Sequence, residues 1–121
     1  MDYSASNLSD KFGLFEDHWH PRIVAELNGQ QVKVAKLLGE FDWHVHDNED
    51  EMFFVHKGEL VIRMEDGEVT IKEGELFVVP RGVRHQPVAL QEAQVVLFEP
   101  ASTINTGDQT TDRTREKLDR I

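Results

Sequence analysis

The chain has 121 residues, 39% hydrophobic and 30% charged, with no cysteine, which fits one globular domain and leaves neither a disulfide nor a thiolate metal site. Its 23 acidic against 13 basic side chains give a formal charge of -10, a field that repels phosphate backbones and anionic membranes and so argues against nucleic-acid or membrane partners. No apolar run approaches the roughly 20 residues needed to span a bilayer, and the opening Met-Asp-Tyr-Ser-Ala-Ser-Asn lacks a basic region followed by an apolar stretch, so a cytoplasmic protein is expected.

Residues 1–20 form a mixed polar and aromatic segment in which Asn7–Phe12 is predicted as a short helix capped by Ser6 or Asn7. From Pro21 the texture becomes β. Arg22–Leu27 and Gln30–Leu38 read as two strands joined at Asn28-Gly29, a pair that tolerates the positive φ of a type I′ hairpin turn. Further strands are predicted near 41–46, 51–56, 59–64, 68–72, 75–79, 84–89 and 94–98, with turns at Lys57-Gly58, Asp66-Gly67, Glu73-Gly74 and Pro80-Arg81-Gly82. Short strands at regular spacing with glycine turns indicate an all-β sandwich or barrel, with a core at about 21–99. Residues 100–121 are too polar to supply core and read as a tail on the surface, with a helical turn from Asp112.

Strand parity adds detail. Successive side chains of a strand point to opposite faces, so Glu51, Phe53 and Val55 share one face while Met52, Phe54 and His56 share the other. Leu60, Ile62 and Met64 likewise alternate with Glu59, Val61 and Arg63. If Glu51 faces the interior, Met52 and Phe54 need cover, either from Phe12, Phe15 and Trp19 of the N-terminal segment or from a second subunit; a homodimer is expected.

The chemistry concentrates in Gly39–Gly58 and Gly74–His85. His44 and His46, with one residue between them, project from the same face of an extended segment about 7 Å apart. Glu51 opens the next β-rich run and His85 follows a Pro-x-Gly turn, so both reach the same point if the sheet curls. Three neutral imidazoles and a carboxylate suit a divalent transition metal such as iron, manganese, nickel, copper or zinc, and burying so many ionisable groups without a cation costs several kcal/mol.

Gly39, His44-x-His46, Glu51 and Gly58 together resemble the first motif of the cupins, and Gly74, Pro80-x-Gly82 and His85 resemble the second. Four residues separate Gly39 from His44 where the family usually has five, and Ala89 stands where Asn usually closes the second motif; neither departure touches a metal-ligating position. The resemblance implies a double-sheet jelly roll, with one metal held by His44, His46, Glu51 and His85. The Glu-Pro-x-x-Thr-x-Asn-Thr-Gly element at 99–107 is similar to that of small single-domain cupins described as like mannose-6-phosphate isomerase. Cupins carry out many reactions, so the fold selects none.

Rival readings are weighed against these. Glu49, in the acidic loop Asp47–Asp50, competes with Glu51, which is favoured by its motif spacing and its place at a strand start. His18-Trp19-His20 repeats the His-x-His pattern without a partner acid at strand spacing and is read as a decoy; His56 is read as a surface residue. Trp43 is read as packing, and Phe41, Phe53, Phe77 and Phe98 as core. Arg81, Arg84 and Lys57 are read as surface cations, although Arg84 beside His85 offers a bidentate contact to an anion. Four protein ligands leave positions open on an octahedral ion, so the expected function is a metal-dependent oxygenase or sugar-type isomerase acting on a small oxygenated molecule. The alternatives are a non-catalytic binding or sensing module, or a barrel with a vestigial site. No general base is identified.

Overall fold

The computed structural model describes residues 2–121. Helix α1, Leu8–Phe12, starts where the Asn7 side chain accepts a hydrogen bond from the Asp10 N–H at 2.9 Å, one of the orphan donors that a helix start leaves. Seven strands follow: β1 Arg22–Leu27, β2 Gln30–Glu40, β3 Glu51–Lys57, β4 Glu59–Met64, β5 Gly67–Lys72, β6 Leu76–Val79 and β7 His85–Pro100. All pairings between them are antiparallel, with the order β1-β2-β7-β3-β6, while β4 joins β7 on one side and β5 on the other. The predicted hairpin is there, with Asn28 at φ 52° and Gly29 at φ 75°, and Leu27 opposite Gln30. Among the described residues no helix is long and apolar enough to cross a membrane.

Two predicted elements need correction. Segment 41–46 is not a strand: its one ladder contact is an isolated bridge between His44 and His85. Conversely, 84–89 and 94–98 are one strand, β7, because Leu90–Ala93 holds no glycine or proline to turn the chain. The sheet absorbs the spare residues as a register slip, from Leu37 opposite Ala93 to Gly39 opposite Ala89, with Gly39 at φ 84°, the kind of bulge that bends a strand.

Parity holds. Phe53, Val55, Leu60, Ile62, Val95 and Leu97 are buried in the main core. On the opposite face of the sheet, Phe54 packs on a second cluster built from Phe12, Phe15, Val34 and Val96, with Leu8 and Ile121 at its edge. The N-terminal segment is therefore the cover for Phe54. Trp19 does not belong to that cover: it lies in the main core, stacked on Phe41 at 4.6 Å, with its indole N–H donating to the Leu38 carbonyl at 2.9 Å. Phe98, expected in the core, is half-buried, because it lies on the opposite face from Leu97.

The polar C-terminal segment carries turns but no helix, so the expected helical turn from Asp112 is not formed. It does contribute buried side chains. Thr103 and Thr106 are both buried, and Asp119 and Ile121 bond through their backbones to Ile23 at 2.9 and 3.0 Å. Residues 101–121 thus run as a strap over one end of the barrel and back to β1.

Candidate metal centre

The four residues singled out by motif spacing are placed by three stretches of the chain: β3, β7 and the segment between β2 and β3. His85 opens β7, and Glu51 opens β3, from which its side chain points inward beside Phe53. His44 is held across from His85 by two backbone bonds, His44 N–H to the His85 carbonyl at 3.0 Å and His85 N–H to the His44 carbonyl at 2.9 Å. His46 follows two residues later, its carbonyl accepting from the Gly82 N–H at 2.9 Å. All four side chains are buried, and one ligand atom from each lies within 4.8 Å of the others.

Two of the rings are oriented by backbone carbonyls. His44 Nδ1 is 2.8 Å from the Asp42 oxygen and His85 Nδ1 is 2.9 Å from the Val83 oxygen. A carbonyl only accepts, so each Nδ1 carries the proton and each Nε2 presents its lone pair to the interior. That is the tautomer a metal requires. Glu51 Oε1 lies 3.3 Å from His85 Nε2 and 3.4 Å from His46 Nε2, longer than good hydrogen bonds. His46 Nδ1 and Nε2, His85 Nε2 and Glu51 Oε1 are buried without a hydrogen-bond partner. An unpaired buried polar atom costs about 1–3 kcal/mol, and here four of them sit in one cluster. A cation bound by one nitrogen of His46, by His85 Nε2 and by Glu51 Oε1 satisfies three of the four, so the cluster fits a metal site.

The electrostatics favour a neutral His44 and an ionised Glu51, but not a neutral His46. Burial, reinforced by the neighbouring His85, pushes the His44 pKa down to about 4, which keeps the ring neutral. Burial lowers His46 as well, but the Glu51 carboxylate more than offsets this and the net shift is upward. Burial alone raises Glu51, yet contacts with His46, His85 and Glu99 hold it well below the usual carboxylate range.

Sequence reasoning missed a second buried pair behind this cluster. Lys33 and Glu99 are each 2% exposed, and Lys33 Nζ lies 2.8 Å from Glu99 Oε1. Burial and the adjacent Glu51 raise the Glu99 pKa well above the usual range, against the pull of Lys33. The signal was available: Lys33 shares parity with Ala35 and Leu37, and Glu99 with Val95 and Leu97, all core residues. Glu99 lines a cavity of about 40 Å³ with His44, Glu51 and Asn105, walled by Trp19, Leu37, Phe41, Phe53 and Leu97.

The rival residues lie elsewhere. His18 Nε2 pairs with Glu92 at 2.8 Å and His20 Nδ1 with Asp17 at 3.1 Å. Glu49 accepts from Ser102 Oγ at 3.0 Å. His56 bonds Ser9 Oγ at 3.2 Å and stacks on Phe12, so it is half-buried and anchors α1. Arg84 lies over the half-buried Trp43 ring at 5.1 Å, and Arg81 pairs with Asp50 at 3.3 Å.

Comparison with known proteins agrees with this architecture. A family model described as Cupin domain matches residues 32–99. A cupin-2 domain containing protein from Shewanella frigidimarina is 45% identical with a TM-score of 0.77, covering 78% of this chain and 93% of that one. Protein NMB1881 from Neisseria meningitidis is 33% identical with a TM-score of 0.74, covering 81% of this chain and 100% of that one. Among curated sequences, YdbB of Bacillus subtilis is 38% identical over 64 residues, 52% of this chain and 57% of that protein. A 3-hydroxyanthranilate 3,4-dioxygenase of Jannaschia is 40% identical over 60 residues, 46% of this chain and 33% of the enzyme. The chain thus spans 57% of the first and 33% of the second of these curated relatives.

Proposed function

Given that the chain belongs to the cupin family, we propose that His44, His46, Glu51 and His85 hold one divalent transition metal ion, and that the protein is a metal-dependent enzyme acting on a small oxygenated molecule, an oxygenase or a sugar-type isomerase. The observation that carries this reading is the set of four buried donors within 4.8 Å of one another, with unpartnered atoms on three of them. The likeness to enzymes named as dioxygenases supports it, over less than half of this chain. Iron, manganese, nickel, zinc or copper suits this nitrogen and oxygen set; when bound, such an ion acts as a Lewis acid on a substrate oxygen, or as an electron donor if it is iron.

The chain's own contribution is orientation and exclusion of water. The Asp42 and Val83 carbonyls fix the tautomers of His44 and His85. Phe41, Phe53, Leu37 and Leu97 wall the cavity and lower its effective dielectric, which strengthens every charge interaction inside. A non-catalytic binding or sensing module is the second reading, favoured by the cavity volume of about 40 Å³, which is small for a substrate beside a metal.

Elemental analysis of protein purified without a histidine tag or chelator is expected to find about one transition metal per chain. Protein reconstituted with Fe(II), Mn(II), Ni(II) or Zn(II) is then expected to turn over a member of a panel of diketones, phenols and sugars. Tight binding of a panel member with no change in its mass would favour the second reading. Absence of metal after reconstitution overturns the metal-dependent reading.

We also infer a homodimer, on different grounds from those the sequence offered. Phe54 is covered within the chain, but Leu76 and Val78 on the edge strand β6 are 59% and 44% exposed. They stand opposite Phe54 and Met52, and Met52 is opposite Phe98, so the apolar surface continues across the sheet face. Light scattering at micromolar concentration is expected to give twice the chain mass, reverting toward the monomer in Leu76→Lys; a monomeric mass for the wild type overturns the inference.

A further inference from the structure

His44 and His46 do not sit on a regular strand, so something other than the sheet must fix the peptide between them. The C-terminal strap does so. The Val45 N–H donates to Asp108 Oδ1 at 3.0 Å, and the Asp108 N–H donates back to the Val45 carbonyl at 3.0 Å. A second contact lies just upstream: Thr111 Oγ1 donates to Asp42 Oδ2 at 3.1 Å, and the Asp42 carbonyl is the acceptor that orients the His44 ring. The strap is therefore bonded on both sides of His44.

The approach is closer than an ordinary residue permits. Gly107 has φ 57°, and a Cβ placed there would run into the Val45 carbonyl and lie 2.9 Å from Cδ2 of the His44 ring. Only glycine brings the strap this near. Its path is set by Thr106, fully buried, whose hydroxyl donates to the Gln109 carbonyl at 2.7 Å and lies 2.7 Å from the Thr114 hydroxyl.

We propose that Gly107 and Asp108 are positioning residues of the metal centre, acting on His44 and His46 through the Val45 peptide. The inference rests on the metal reading above. It predicts that affinity for the ion depends on a segment more than sixty residues downstream of the histidines it serves, although no strap residue ligates the ion. Groups that orient metal-binding side chains typically contribute about 10- to 100-fold in affinity.

The test uses the full chain and cobalt(II), with a competing chelator to measure affinity, the visible absorption of the bound ion to report its geometry, and the thermal midpoint of the metal-free protein as the measure of folding. Asp108→Ala is expected to lose about 10- to 100-fold in affinity and to alter the absorption bands. Asp108→Asn, which keeps an acceptor oxygen for Val45, is expected to remain within a few-fold of the wild type. Lys117→Ala, an exposed change on the same segment, is expected to match the wild type. Gly107→Ala is expected to resemble Asp108→Ala if it folds; the proposal stands on the Asp108 series if it does not. Equal affinity and spectra in Asp108→Ala and wild type would overturn the proposal while leaving the metal reading intact. An affinity loss that Asp108→Asn fails to restore would also overturn it. Failure of the wild type to bind cobalt would remove both.

Discussion

The interior of the barrel has two ends of opposite character, and β3 runs from one to the other. Its inward residues pass from Glu51 through Phe53 to Val55, which lies in register with Val95. Val55 shares the main core with Leu60, Ile71, Ala93 and Val95, all of them buried apolar side chains. Around Glu51 stand His44, His46 and His85, with Lys33 and Glu99 behind them, and several of their buried polar atoms find no partner within the chain. One end is optimised for the fold. The other holds a deficit that the fold tolerates because the apolar end, by dispersion and dehydration, stabilises enough.

The largest expected effect comes from breaking the buried Lys33–Glu99 pair at the polar end. Lys33→Met leaves Glu99 buried beside Glu51 without its cation and should destabilise by about 3–5 kcal/mol in urea unfolding, whereas the double change Lys33→Met with Glu99→Leu should recover most of that loss. If the single change is silent, the pair does not carry charge in the fold.

At the apolar end, Leu60→Ala should cost about 2–5 kcal/mol, since a fully buried leucine leaves a cavity its β-sheet neighbours cannot close. Metal content per folded chain should stay unchanged. A change in that content would mean that the two ends are not separable.

Acid distinguishes the ends by pH. The folded pKa of His44 is depressed to about 4 against 6.5 for an ordinary imidazole, so between those values the unfolded chain takes up a proton that the folded chain refuses. The stability held above pH 6.5 is therefore lost as pH falls toward 4, at up to roughly 1.4 kcal/mol per pH unit for this one group. Urea midpoints of the metal-free protein at pH 7 and 4.5 should converge more closely in His44→Gln than in the wild type; identical pH dependence in the two would show that His44 is not kept neutral. The smallest effect belongs to Arg81→Ala, whose partner Asp50 is exposed like itself, and whose loss should not move the thermal midpoint or the metal content measurably.

Much of this was legible in the sequence because local chemistry and global fold agree. Asn28-Gly29 announces the hairpin, alternation in β3 and β4 gives the inward faces, and the spacing of His44, His46, Glu51 and His85 identifies the four residues that the fold brings together. What was not legible is non-local. Segment 41–46 alternates like a strand, but whether it pairs depends on what lies beside it, and only His44 forms a β-bridge. Parity turns Lys33 and Glu99 inward, but that they pair with each other shows only when β2 and β7 are laid side by side. Trp19 could be assigned to either core by hydrophobicity alone, and its place is decided by the Leu38 carbonyl. The strap escaped notice because its packing uses threonine hydroxyls and a glycine rather than apolar bulk.

Strand β7 has a consequence for how the chain reaches this structure. It is 16 residues long and hydrogen-bonds to β2, β3 and β4, yet it is the last of the seven strands in chain order. Until residues 85–100 have left the ribosome, three strands wait with unpaired edges, and only the β1–β2 and β4–β5 hairpins and the β3–β6 pair can form. Such long-range pairing folds slowly and leaves sticky edges exposed in the meantime. The cluster of His44, His46, Glu51 and His85 is thus expected to form only once β7 is in place, since His85 is the first residue of that strand.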